Sequence, residues 1–164
     1  LECHPCPCGF FTDQNKTCKC TTPKIQKYLA KISGPLLDRI DMHLEVPSLK
    51  YKELTDESQP ESSSQIKKRV NKCRLIQLER FKADKIYANS QMNQKLIKKH
   101  CQLGNEAKEL LKMAIEQLGF SARSYDKILK LSRTIADLAG EEYILAEHIS
   151  EAIQYRSLDR QLWD

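Results

Sequence analysis

Apolar residues recur three and four positions apart over most of this chain, and at alternate positions in one short run only. Ile25, Tyr28, Leu29 and Ile32 form a stripe at helical spacing, and Pro23 suits the first turn of a helix over 23–32. Gly34-Pro35 interrupts it, and Leu36-Leu37 anchor a short turn. Met42-His43-Leu44-Glu45-Val46-Pro47 then alternates and predicts a half-buried strand. Residues 47–61 lose all periodicity and read as a linker with one turn at Tyr51–Leu54. From Ser62 the helical period returns. Ser62-x-x-Gln65 predicts a capping box, and Ile66, Val70, Cys73, Gln77 and Phe81 share one face. A loop with Asp84, Tyr87 and Asn89 separates this helix from a short one near Gln94–His100. Leu103, Ala107, Leu110, Leu111, Ala114 and Leu118 mark a further amphipathic helix, stopped by Gly119. Ser121 caps the next, with Tyr125, Ile128, Ser132, Ile135 and Ala139 as its stripe and Gly140 as its stop. A last helix follows Ile144, with Ile149, Ala152 and Ile153 facing inward.

The pattern predicts a mainly α chain. Residues 1–50 hold an irregular cysteine-rich loop, one helix and a short strand; 51–61 link them to a small bundle of four or five helices over 62–164. A length of 164 residues fits one domain with appendages, and 40% hydrophobic with 30% charged residues fits a soluble globular protein. No apolar run approaches a membrane span, so no membrane partner is expected. The net charge of +5 permits nucleic-acid contact without demanding it. The first residue is Leu rather than Met, which suggests a piece of something longer.

The cysteines change the picture more than the charge does. Five of the seven, Cys3, Cys6, Cys8, Cys18 and Cys20, crowd the first twenty residues. A cluster without a secretory signal reads as a metal site in a reducing, cytoplasmic setting rather than as a disulfide framework. Two close pairs, Cys6-x-Cys8 and Cys18-x-Cys20, suit tetrahedral zinc, although the spacing is not the usual Cys-x₂-Cys. A loop this poor in apolar surface would draw its ordering energy from the metal. An iron–sulfur cluster, a labile disulfide pair or free thiols would use the same residues. Cys3 and His4 are spare donors.

Two arginines stand in places where a charge has consequences. Arg39 follows the Gly34-Pro35 turn, between Asp38 and Asp41, at the expected junction of turn and strand. A structural ion pair would account for it. Arg123 falls in the first turn of the Ser121-capped helix, where the macrodipole disfavours a cation by a few tenths to about 1 kcal/mol. Pairing with Asp126 would offset that, and so would a phosphate shared with the helix terminus. Lys67, Lys68, Lys72 and Arg74 crowd one helix, which is ordinarily a solvated face.

Several runs taken together resemble one family. They are Pro5-Cys6-Pro7-Cys8-Gly9, Ile32-Ser33-Gly34-Pro35-Leu36-Leu37-Asp38-Arg39-Ile40-Asp41, Leu118-Gly119-Phe120-Ser121-Ala122-Arg123-Ser124-Tyr125-Asp126, Thr134-Ile135-Ala136-Asp137-Leu138 and Glu151-Ala152-Ile153-Gln154-Tyr155-Arg156. In this order they resemble the magnesium-chelatase-like AAA+ ATPases of the ComM/YifB family over nearly the whole chain. The resemblance implies the end of an AAA+ α/β core over 1–50 and the helical lid over 62–164. It implies Arg39 as an arginine finger reaching the γ-phosphate of ATP on a neighbouring subunit, and Arg123 as the sensor-2 residue contacting nucleotide phosphates. It further implies ATP with Mg²⁺ as cofactor of the parent, a ring of subunits, expected to be a hexamer, and a link to competence and DNA branch migration. The family carries Asn before Pro5, at sensor 1; here that position is His4, and no catalytic role is assigned to it. No Gly-x₄-Gly-Lys-Ser/Thr loop occurs in this chain, so it is not expected to hydrolyse ATP alone. Two readings from other classes compete. One is a stand-alone zinc-containing nucleic-acid-binding module using Lys67, Lys68, Arg69 and Lys72 with Lys16 and Lys19, which would lack aromatic interleaving. The other is an assembly domain without a ligand.

Overall fold

The computed structural model describes residues 4–13, 15–47 and 60–156. Two compact units divide the chain, Leu1–Gln59 together with Leu158–Asp164, and Pro60–Ser157. The turn expected at Tyr51–Leu54 lies outside the described residues.

The first unit is a looped cysteine segment followed by two short helices, α1 (Thr22–Leu29) and α2 (Gly34–Leu37). Pro occupies the first turn of each, where its missing N–H costs nothing. The α1 stripe ends a turn earlier than its period suggests. Ala30–Ile32 leave the helix in tight turns, with Ile32 N–H donating to Leu29 O at 2.9 Å. Ile25 and Leu37 are the buried apolar residues of the two helices. The strand predicted at Met42–Pro47 does not form: the segment is irregular and Val46 is 88% exposed. Alternation describes a strand only where a ladder partner exists. Among the described residues the sole β pairing is an isolated parallel bridge, Leu103 with Ile144, in the other unit.

The second unit is a five-helix bundle: α3 (Ser63–Arg80), α4 (Gln94–His100), α5 (Asn105–Leu118), α6 (Ala122–Ala139) and α7 (Ala146–Gln154), with a 3₁₀ turn at Asn89–Gln91. The helix ends match the punctuation. Ser62 and Gln65 form a reciprocal capping box. Asn93 caps α4 through Leu96 N–H at 3.0 Å, and Ser121 caps α6 through Ser124 N–H at 3.1 Å. Gly119 and Gly140 end α5 and α6 in the left-handed region, at φ +63° and +83°.

The core is built from Phe81, Met92, Leu96, Ile97, Leu111, Ile128, Leu129, Ala136, Ile144 and Ile149, among others. The buried face of α6 is rotated from the apolar stripe. It runs through Ser124, Ile128, Leu129, Ser132, Arg133, Ala136 and Asp137, while Tyr125 and Ala139 face solvent. Polar residues claim that face because they meet each other there. Asp137, fully buried, accepts from Arg80 Nη1 (2.6 Å) and Nη2, from Asn89 Nδ2 (2.8 Å) and from Arg133 Nε (3.1 Å). Four donors fill the acceptor capacity of one carboxylate. Arg133 also donates to the carbonyls of Glu141 (2.6 Å) and Glu142 (2.7 Å), which fixes the chain leaving α6. Asn89 N–H donates to Gln77 Oε1 at 3.1 Å, and Gln77 Nε2 to Cys73 Sγ at 3.3 Å. One network therefore joins α3, the 3₁₀ turn, α6 and the α6–α7 loop.

Beside it lies His100 at the end of α4, its ring edge-on to Phe81 with centroids 5.5 Å apart. Its Nε2 is buried without a hydrogen-bond partner. Burial, then the charges of Lys99 and Arg80, with Arg133 adding and Asp84 opposing, hold its pKa below the ordinary value.

Two outcomes are expected. Asp137→Ala strands two buried guanidinium groups and should cost about 3–5 kcal/mol in denaturant unfolding of the bundle; a loss under about 1 kcal/mol would show that the network does not govern stability. The depressed pKa of His100 means that the unfolded chain protonates first. Its stability contribution is complete above pH 6.5 and is lost as pH falls from there toward the folded pKa, at no more than about 1.4 kcal/mol per pH unit. The difference between wild type and His100→Gln across pH 7.5 to 4.5 should display that slope, and parallel curves would exclude it.

Candidate metal centre and arginine positions

The cysteine loop turns twice to bring its two pairs together. After Cys6-Pro7-Cys8, Gly9 takes φ +82° and its N–H closes on Cys6 O at 3.0 Å. A side chain here would be strained by that φ, and its Cβ would sit 3.7 Å from the His4 ring. Asp13 then organises the return, with its Oδ1 accepting from the backbone N–H of Asn15 (2.7 Å) and Lys16 (3.0 Å). Lys16 Nζ lies 4.8 Å from the centre of the Phe10 ring.

These turns place the sulfurs of Cys6, Cys8, Cys18 and Cys20 all within 4.8 Å of one another. Cys6 and Cys8 are 3.3 Å apart, Cys6 and Cys18 3.7 Å, and Cys8 and Cys18 3.6 Å. Four sulfurs about 2.3 Å from a central ion at tetrahedral corners would stand about 3.8 Å apart. The thiols are free rather than paired. The separations suit one ion; a multi-iron cluster would hold its outer ligands further apart. Cys3, one of the two spare donors, lies outside the described residues, and His4 is exposed beside Gly9 rather than among the four sulfurs.

The electrostatics of the four thiols explain what a cation would do. Cys8 is brought down to about 6 by the Phe10 backbone N–H and then by the Cys6 thiol. Against the Cys20 backbone N–H, desolvation and the adjacent thiols push Cys18 up to about 12. Desolvation and Cys8 raise Cys20 as well. One thiolate forms easily and the next is resisted by the first. Four clustered cysteines of this kind can hold a metal such as zinc, whose charge removes that resistance. The two remaining cysteines among the described residues are different. Cys73 and Cys101 are buried, and burial raises both, Cys101 to about 11, as for inert packing thiols.

Arg39 is exposed on the turn that leaves α2, and its Nη1 donates to Pro35 O at 2.6 Å. The backbone beneath is fixed by successive turn bonds, Asp38 N–H to Gly34 O and Arg39 N–H to Leu36 O, and by the buried Leu37. Arg123 belongs to the other unit. It is exposed at the second position of α6, next to the Ser121 cap. Asp126, one expected partner, has its Oδ2 engaged by Gln94 Nε2.

Sequence reasoning missed Arg156. It is fully buried, and its Nη2 donates to Ser124 Oγ at 3.2 Å, directly beneath the turn that carries Arg123. Its position continues the spacing of Ile149, Ala152 and Ile153, but a charged residue there reads as the end of the apolar stripe rather than as part of the core. The Arg133–Asp137 pair did leave one, an i,i+4 spacing of opposite charges. Among the described residues, no helix is long and apolar enough to cross a membrane.

Comparison with known proteins gives a consistent placement. Residues 60–156 match the family model "Magnesium chelatase, subunit ChlI C-terminal", and residues 1–54 match "Magnesium chelatase, subunit ChlI". The competence protein ComM of Haemophilus influenzae is 42% identical over 161 residues, covering 97% of this chain and 30% of that protein. The uncharacterized protein YifB of Salmonella typhimurium is 35% identical over 160 residues with the same coverage. The uncharacterized protein Mb2921c of Mycobacterium bovis is 28% identical over 156 residues, 95% of this chain and 30% of its own. The chain thus spans about a third of the length of these relatives. With the family model covering the whole described bundle, the chain belongs to the magnesium chelatase ChlI family, as its C-terminal region, and is homologous to ComM and YifB over nearly its full length.

Proposed function

We propose that this chain serves an AAA+ ATPase by supplying two arginines to ATP sites built largely from other parts of the protein. Arg39 acts as the finger that crosses to the γ-phosphate held by the next subunit of a ring, a hexamer by family resemblance. Arg123 is the sensor-2 residue on the helical lid. The observation that carries the reading is the setting of Arg123. It stands exposed in the first turn of a capped eighteen-residue helix, whose free N–H groups and dipole favour an anion at that end. The far end of the same helix is locked by the Asp137 network. A guanidinium held on such a frame would meet a phosphate without reorganisation, which is what stabilises charge in phosphoryl transfer. ATP and Mg²⁺ are the parent's cofactors in this reading. The cytoplasm is its compartment, and DNA its substrate, after the competence role in the name of the Haemophilus relative.

The cysteine loop takes a structural zinc. Cys6, Cys8, Cys18 and Cys20 would hold it, and the ion would supply the ordering energy that so small an apolar core cannot.

In the full-length protein, Arg39→Ala should lower kcat for ATP by about 10³-fold or more while nucleotide binding persists, since the finger acts only in the transition state. Arg123→Ala should lower turnover and weaken nucleotide binding together, because its contact is made in the ground state too. Unchanged turnover in either variant removes that residue's role. Elemental analysis of the purified chain should find one zinc per chain, with Cys18→Ser falling well below it. Substoichiometric metal together with four titratable thiols would reject the site.

A further inference from the structure

The basic residues of α3 occupy a half-helix that packs on nothing within its own bundle. Residues 61–72 are all exposed, including Ile66 and Val70, at 42% and 45%. Burial along α3 begins only at Cys73 and continues at Gln77, followed by Phe81 just beyond the helix. Yet the exposed half is well formed, closed by the Ser62–Gln65 capping box and by a two-bond pair from Arg69 to Glu61, at 2.6 and 3.1 Å. A helix polar all round normally bridges domains through solvent or laces its surface with opposite charges, and otherwise is not stable by itself. The neighbouring segments lace theirs, as with Lys112–Glu116 in α5 and Glu79–Lys82 at the end of α3. The first half of α3 does not. From Ser62 to Leu78 it carries Lys67, Lys68, Arg69, Lys72 and Arg74 and no carboxylate. Lys68 and Lys72 stand one turn apart on the face opposite the Ile66–Val70 stripe, and Lys67 with Arg74 lie between them and that stripe, so the four share one side of the helix.

We infer that the N-terminal half of α3 is a nucleic-acid contact that grips the phosphate backbone through Lys67, Lys68 and Lys72, with Arg74 at its edge. The four cations span about 10 Å of helix, and DNA carries about one charge per 1.7 Å of axis. A continuous polyanion of that density matches several cations without an interspersed acid, whereas a folded protein surface presents carboxylates mixed with bases. The contact would be independent of base sequence, because lysines on an exposed helix meet phosphates as point charges, no aromatic stands on this half, and Arg74, the fork at its edge, donates to Gln77 Oε1 at 3.3 Å. Arg69, already paired with Glu61, sets the helix rather than the contact. The inference deepens the reading of DNA as the substrate and owes nothing to the ATP-site roles of Arg39 and Arg123, so failure in a binding assay leaves those roles to be judged by turnover alone.

The test is fluorescence anisotropy of a labelled 30-nucleotide single strand and its duplex with the whole chain, titrated between 50 and 200 mM salt. Lys67→Gln/Lys68→Gln/Lys72→Gln keeps good helix formers at all three positions. It should weaken binding at least about ten-fold at the lower salt and flatten the slope of log K against log salt by about two to three units, equally for unrelated sequences. The matching triple change to Arg should retain binding and salt slope, and Lys108→Gln/Lys112→Gln on α5 should leave both as in wild type. Unaltered affinity and slope in the glutamine triple would overturn the proposal. Competition by polyglutamate as effective as that by DNA at equal charge would also overturn it, in favour of an acidic protein partner.

Discussion

The bundle depends on one buried carboxylate. A buried carboxylate needs hydrogen-bond partners, and Arg80 and Arg133 supply them to Asp137 from two directions, with Asn89 completing the set. Removing one partner from such a group costs far more than the group adds, so its worth lies in specificity as much as in stability. Three of the four bonds come from outside α6, two from Arg80 on α3 and one from Asn89 in the 3₁₀ turn. The same arrangement fixes the loop after α6 through Arg133 and the 3₁₀ turn through Asn89. At the opposite end of α6, about 20 Å away by the helical rise, Arg156 engages Ser124. The helix is thus held at both ends by arginines, and the exposed Arg123 inherits a defined position from contacts it does not make.

The first unit solves a different problem. Cys6, Ile25 and Leu37 are its buried hydrophobic residues among those described, too little apolar surface to offset the conformational entropy of ordering such a chain. Four sulfurs gathered by two tight turns offer another source of ordering energy, provided a cation joins them. The turn closed by Gly9 N–H on Cys6 O accompanies a first pair whose sulfurs stand 3.3 Å apart, and the return through Asp13 brings Cys18 Sγ to 3.7 and 3.6 Å from those of Cys6 and Cys8.

Features set by local chemistry were legible in the sequence. The capping box at Ser62, the cap at Ser121, the stops at Gly119 and Gly140, and the span of α4 all follow from side chains acting on their own backbone. The pairing of the cysteines was legible for the same reason. Features set by partners elsewhere were not. Met42–Val46 alternates like a strand but finds no ladder among the described residues. The apolar stripe of α6 pointed to Tyr125 and Ala139, while the actual buried face admits Arg133 and Asp137 because Arg80 and Asn89 come from 57 and 48 residues away to meet them. Ile66 and Val70 continue the apolar stripe of α3 past the point where the bundle stops, so periodicity alone assigned them to a core that is not there.

The arginines sort by what surrounds them, and the sorting bears on function. Arg133 and Arg156 are buried, and Arg80 nearly so; Arg80 and Arg133 have acceptors placed for them by the fold, as the cost of desolvating a guanidinium requires, and Arg156 donates to Ser124 Oγ. Arg39 and Arg123 are exposed, yet each stands on backbone as constrained as any in its unit, a proline-started turn over the buried Leu37 in one case and a capped, doubly anchored helix in the other. An exposed cation gains little stability from such support. The rigid turns therefore do more to fix the backbone positions from which these two side chains extend than to tighten the fold, and the phosphate contacts proposed for both residues would use that placement.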